Sequence, residues 1–135
     1  EIERRLGSPA YVQLTDDADT GVADAAVVDE ARLAAEGEVN SHLARRVSVP
    51  VDLSRYAASV DAIRSAAMDL AAYRLHLRRP PVPADIVRRR REAVAWLEGV
   101  ANGSVMLESV TDSATTDGMI SGPPRVMTRD SLDNL

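Results

Sequence analysis

No cysteine occurs in the 135 residues. That excludes disulfides, thiolate nucleophiles and thiolate-bound metals together. Phenylalanine is also missing, and the aromatics reduce to Trp96, Tyr11, Tyr56 and Tyr73. Any core is therefore built from Ala, Val and Leu, small side chains that suit closely approaching helices. Lysine is absent as well: all 16 basic residues are Arg. With Ala and Val so abundant, part of that Arg excess reflects coding bias toward GC. No run of about 18 apolar residues exists, so no segment reads as a membrane-spanning helix. No stretch has the order of a signal peptide.

What is present fits one domain, since domains run to roughly 100–200 residues. The apolar fraction of 45 % and the charged fraction of 27 % are ordinary for a globular chain. Charge is uneven along it. Residues 1–40 carry ten acids and three Arg, residues 41–107 six acids and eleven Arg, and residues 108–135 five acids and two Arg. An acidic head, a basic middle and an acidic tail favour contacts with copies of the same chain or with another protein. A general nucleic-acid binder is net basic, whereas the formal charge here is −5.

The periodicity predicts an all-α fold: a small bundle of three long helices plus short N-terminal helices, followed by an extended C-terminal tail. Residues 1–6 read as a helix end with Gly7 as its cap, and Ser8-Pro9 as the start of a short helix to about residue 14. Asp24 is a good N-cap for a helix over 24–46, whose stripe runs through Val27/Val28, Ala31, Ala34/Ala35, Val39, His42/Leu43 and Arg46. Gly37 inside it predicts close approach of a neighbouring helix. Alternating Val47, Val49 and Val51 around Pro50 suggest an extended connector or edge strand. A second long helix is expected over 59–78, with Val60, Ile63, Ala66/Ala67, Leu70, Tyr73/Arg74 and Leu77 on one face, and Pro80-Pro81-Val82-Pro83 stops it. The third is expected over 84–101, with Ile86/Val87, Arg90, Ala93/Val94, Leu97 and Val100/Ala101 on one face, closed by Asn102-Gly103. These divide the chain into a helical domain, 1–107, and a tail, 108–135, rich in Ser and Thr, without a helical stripe and ordered only on assembly.

No catalytic, cofactor or metal set emerges. With Gly21 at the sixth position of a calcium loop, Asp16 falls first, but Ala18 falls third and Val27 where a bidentate Glu is required. His42 and His76 sit on different helices. No nucleophile elbow, phosphate loop or dinucleotide fingerprint occurs. Asn102-Gly103-Ser104 spells a glycosylation sequon but reads better as a helix end. The loudest feature is Arg88-Arg89-Arg90-Arg91, which fans through about 300° of a helix, so the four cannot share one groove. Arg90 falls on the apolar stripe and should either snorkel to the rim or pair with a carboxylate from a neighbouring helix, Asp69 being the candidate. Arg78, Arg79, Arg88 and Arg89 are the candidate basic side of a subunit interface, with Asp16 and Asp17 as its acidic side. Met119-Ile120 and Val126-Met127, flanking Pro123, Pro124 and Arg125, are candidate docking residues of the tail.

Seven stretches in this order resemble a known family: Glu3-Arg4-Arg5-Leu6-Gly7; Val12-Gln13-Leu14-Thr15-Asp16-Asp17; Val39-Asn40-Ser41-His42-Leu43-Ala44-Arg45-Arg46; Val49-Pro50-Val51; Met68-Asp69-Leu70-Ala71-Ala72-Tyr73-Arg74-Leu75; Ala93-Val94-Ala95-Trp96-Leu97; and Ala101-Asn102-Gly103-Ser104-Val105. Together they resemble the small α-helical head–tail connector proteins of tailed phages and Mu-like prophages, over about residues 1–107. The resemblance implies a non-enzymatic virion protein without cofactors. It implies a homo-oligomeric ring, commonly of twelve copies, in the phage neck, assembled in the host cytoplasm. Such a ring joins the portal protein to a stopper or tail-terminator protein, and genomic DNA passes through its channel without sequence-specific binding. No membrane is involved. The alternative from the residues alone is an Arg-rich helical nucleic-acid-binding regulator.

Overall fold

A computed structural model describes residues 1–109. Among them the chain forms α1 (Ile2–Leu6), α2 (Ser8–Thr15), α3 (Ala25–Leu43), a 3-10 turn (Ala57–Ser59), α4 (Val60–Leu77) and α5 (Ala84–Asn102). The fold is all-α, as the periodicity indicates. The three long helices form the body, and α1 and α2 lie against α3 and α4.

The ends of α3 show why it forms where it does. Asp24 Oδ1 accepts from Ala26 N at 2.9 Å, satisfying one of the open N–H groups of the first turn. The helix stops at Leu43, three residues short of the expected Arg46. Arg46 N and Val47 N both donate to Leu43 O at 2.9 Å, and this tightened turn swings the Arg46 side chain across to α5. There Arg46 Nε donates to Ala101 O at 3.2 Å, capping a carbonyl that α5 leaves open. The connector over 47–53 forms no edge strand, because no extended segment pairs with it among the described residues. Instead Val47, Val51 and Leu53 fold back onto the core, partly buried.

α4 is the central element, packed against both α3 and α5. It buries Ile63, Ala66 and Leu70, and also Ala71, Ala72 and Leu75, an arc wider than one stripe. This corrects the stripe read from sequence, which ended on Leu77: Leu77 is half exposed and Leu75 fully buried. The main core joins Ala35, Val39 and Leu43 of α3 to Leu70 of α4 and Ala93, Leu97 and Val100 of α5. Alanines at these contacts let the helices approach where larger side chains would hold them apart. A second cluster of Leu14, Ala31 and Leu75 seats α2 on the long helices.

Gly37 is a second correction. It is exposed, and a Cβ built there meets nothing within 4 Å, so no helix of the described chain approaches it. Close approach occurs at Gly99 instead, where a Cβ would lie 2.8 Å from Val105 Cγ2. Gly103, at φ 86°, turns the chain back so that Val105 N donates to Gly99 O at 3.0 Å. Gly37→Ala should therefore stabilise the fold by about 0.5–1 kcal/mol, the helix-propensity difference alone. A rise of a few degrees in Tm by circular dichroism is the expected readout.

Candidate functional site

With no catalytic constellation to build, the candidate site is the charged surface of the bundle. Its partners decide what it can offer. α2 places the loop after it over the last turn of α4, where helix carbonyls are open and cations are favoured. Arg78 at that end pairs through Nη2 with Asp17 and donates from Nη1 to Leu14 O at 2.5 Å. Arg79 Nη2 donates to Asp16 O at 3.2 Å and lies 3.7 Å from Asp17 Oδ1. Acidic head and basic middle thus meet inside one chain. Asp17, Arg78 and Arg79, expected at a boundary between copies, pair with one another within the chain, and Arg79 meets only the backbone oxygen of Asp16. Arg88 pairs one turn along its own helix with Glu92 at 2.9 Å, well exposed and worth a few tenths of a kcal/mol. Arg89 makes no ion pair among the described residues.

Arg90 pairs with a neighbouring helix, but not with Asp69. The Asp69 carboxylate is taken by Arg5 of α1, whose Nη2 also donates to Ser65 Oγ at 3.3 Å. Asp69 therefore faces α1, away from α5. Arg90 reaches Glu38 of α3 instead, Nη2 to Oε1 at 3.3 Å, with its guanidinium 4.8 Å above the Tyr73 ring. The other oxygen of Glu38 accepts from Arg74 Nη2 at 2.9 Å. One carboxylate of α3 thus bridges an Arg from each of the other two long helices. Sequence reading missed Glu38. Its only signal was its place four residues beyond Ala34, on the edge of the apolar stripe, where a carboxylate has no reason to sit unless something basic meets it.

The loop itself is organised by Asp16. Its carboxylate accepts from Thr20 N at 3.0 Å, Thr20 Oγ1 at 3.1 Å and Gly21 N at 2.6 Å. The Thr20 amide first, then the Gly21 amide and the Thr20 hydroxyl, hold its pKa below the ordinary carboxylate range. This is a turn-building carboxylate. Among the described residues no group of three or more His, Asp or Glu side chains could hold a metal ion. Met119, Ile120, Pro123, Pro124, Arg125, Val126 and Met127 lie outside the described residues.

His76, near the end of α4, has its pKa lowered by burial, with the charge of Asp85 opposing that shift. The folded state therefore prefers neutral imidazole, and the unfolded chain binds the proton more readily. The contribution of His76 to stability is fully present above about pH 6.5 and is lost as pH falls through the folded-state value. Denaturant melts from pH 7.5 down to 5.5 should show declining stability, and His76→Gln should flatten that slope.

A family model described as Bacteriophage Mu, Gp36 matches residues 1–121, taking in every described residue and extending past residue 107, where the resemblance read from sequence stopped. No curated protein matches the chain.

Proposed function

We propose, since this chain belongs to the bacteriophage Mu Gp36 family, that it is a structural virion protein of the phage neck. In this reading it forms a non-enzymatic ring between the portal and a stopper or tail-terminator protein, and DNA passes through without being read. The match over residues 1–121 carries the reading. Support comes from the three-helix body, in which α4 packs against both α3 and α5. Residues 108–135 supply the portal-docking segment.

The nucleic-acid alternative loses ground on one observation. Of the seven Arg between 74 and 91, five are ion-paired within the chain: Arg74 and Arg90 to Glu38, Arg78 and Arg79 to Asp17, and Arg88 to Glu92. Five guanidinium groups that share three carboxylates are partly neutralised and release fewer counterions on meeting phosphate than free ones would.

Adding purified protein to tail-less, portal-bearing heads of its phage and imaging the neck tests the proposal. A ring of this protein below the portal is expected. Heads that complete without it overturn the neck assignment. Duplex binding that falls steeply with salt would favour the regulator.

A further inference from the structure

We propose that the α2–α3 loop of one copy seats Val22 in the pocket at the C-terminal end of α5 in the next copy. This rests on the ring reading and supplies it with a contact.

The loop is preorganised. Beyond the three hydrogen bonds to Asp16, the Thr20 hydroxyl accepts from Val22 N at 3.4 Å. Val22 is therefore held out on an ordered turn, 67 % exposed. Beside it Asp19 makes no ion pair among the described residues, and Asp24 spends its carboxylate on a backbone amide. A fixed turn carrying one apolar side chain between two acids is a ready ligand, because little ordering entropy remains to be lost on docking.

The far end of the bundle offers the matching receptor. Val47, Tyr56, Val100, Val105, Met106 and Leu107 line a pocket of about 340 Å³ together with Arg46 and the polar turn at Asn102 and Gly103. Met106 is 79 % exposed. Arg55 lies 5.7 Å from the centre of the Tyr56 ring and has no carboxylate partner among the described residues. A partly apolar hollow that carries Arg46, with Arg55 stacked on its Tyr56, thus answers an apolar tip rimmed by Asp19 and Asp24. Asp17, Arg78 and Arg79 have already paired with one another, whereas Asp19 and Arg55 make no ion pair among the described residues.

Loop and pocket sit at opposite ends of α3, whose 19 residues span about 28 Å. The contact is therefore heterologous. Each copy keeps one loop and one pocket to offer, the condition for a ring when the rotation closes and for an open chain when it does not.

The absence of cysteine makes the test clean. A disulfide needs Cα atoms within about 7 Å, so Val22→Cys and Met106→Cys in one chain cannot bridge each other. Both sites are exposed, and a thermal melt matching the parent confirms that the double variant folds. Under mild oxidation each single variant should stay largely monomeric, because a heterologous contact keeps like positions apart, whereas V22C/M106C should give a ladder of covalent trimers and larger species. A double variant that stops at monomers and dimers overturns the contact, as it would if residues 110–135 of the same chain filled the pocket. A ring imaged on heads without any ladder keeps the ring reading and removes this contact. A ladder without a ring on heads keeps the contact and removes the neck assignment.

Discussion

Leu75→Ala should lower stability by about 3–5 kcal/mol, while Leu77→Ala, on the same helix, should change it by less than about 0.5 kcal/mol. Leu75 is wholly buried and joins Leu14 of α2 to Ala31 of α3, with Ile2, Leu6 and Val27 around it. Truncation leaves a void between three elements. Two of them are pinned by polar links, since Arg78 of α4 grips Leu14 O at the end of α2. The site cannot collapse to fill the space, so the cavity cost adds to the lost transfer energy. For a domain whose total stability is about 5–15 kcal/mol, that is a large fraction. Urea titration read by circular dichroism gives the comparison directly. Equal sensitivity at the two positions would mean that α4 is rotated toward the face that the sequence stripe suggested.

The same pair of leucines shows what could be read without a structure. A helix buried on one side announces its register, and α5 does so: Ile86, Ala93, Leu97 and Val100 were all on the expected face and are all buried. Local chemistry was equally legible. Asp24 caps α3, Gly103 turns left-handed after α5, and the proline run ends α4. A helix between two partners carries two overlapping stripes, and Ala71, Ala72 and Leu75 were hidden in the second. The charged surface was the least legible part. Which carboxylate meets Arg90 depends on which helix lies beside it, and α4 turns Asp69 toward α1 while α3 brings Glu38 over. Likewise the segregation of acids and Arg along the chain was plain. That much of it cancels within one molecule follows from α2 folding back onto α4, which composition cannot report.

Glu38→Ala should cost about 2–3 kcal/mol. An exposed ion pair contributes about 0–1 kcal/mol, and removing one member of a buried pair costs about 3–5 kcal/mol. Glu38 lies between these limits, its side chain 20 % exposed and its two partners 40 % and 36 %. The loss exceeds that of a surface pair because one carboxylate serves two cations, and neither makes a second ion pair among the described residues. Arg74 is the more exposed to this loss, since its Nε is already buried without a hydrogen-bond partner. Arg90 keeps its stacking on Tyr73 when Glu38 is removed. Arg90→Ala forfeits that stacking as well as the ion pair, yet leaves Glu38 paired with Arg74, so it should cost less than Glu38→Ala. A double-mutant cycle between the two positions isolates the bridge from the stacking. Asp29→Ala is the control, a pair on the surface of α3 at 3.6 Å and well exposed. Raising the salt concentration should erase the control's small effect and leave most of the Glu38 effect, because screening acts weakly on charges removed from water. If Glu38→Ala costs no more than Asp29→Ala, the three long helices are held by apolar packing alone and the bridge is only a surface pair.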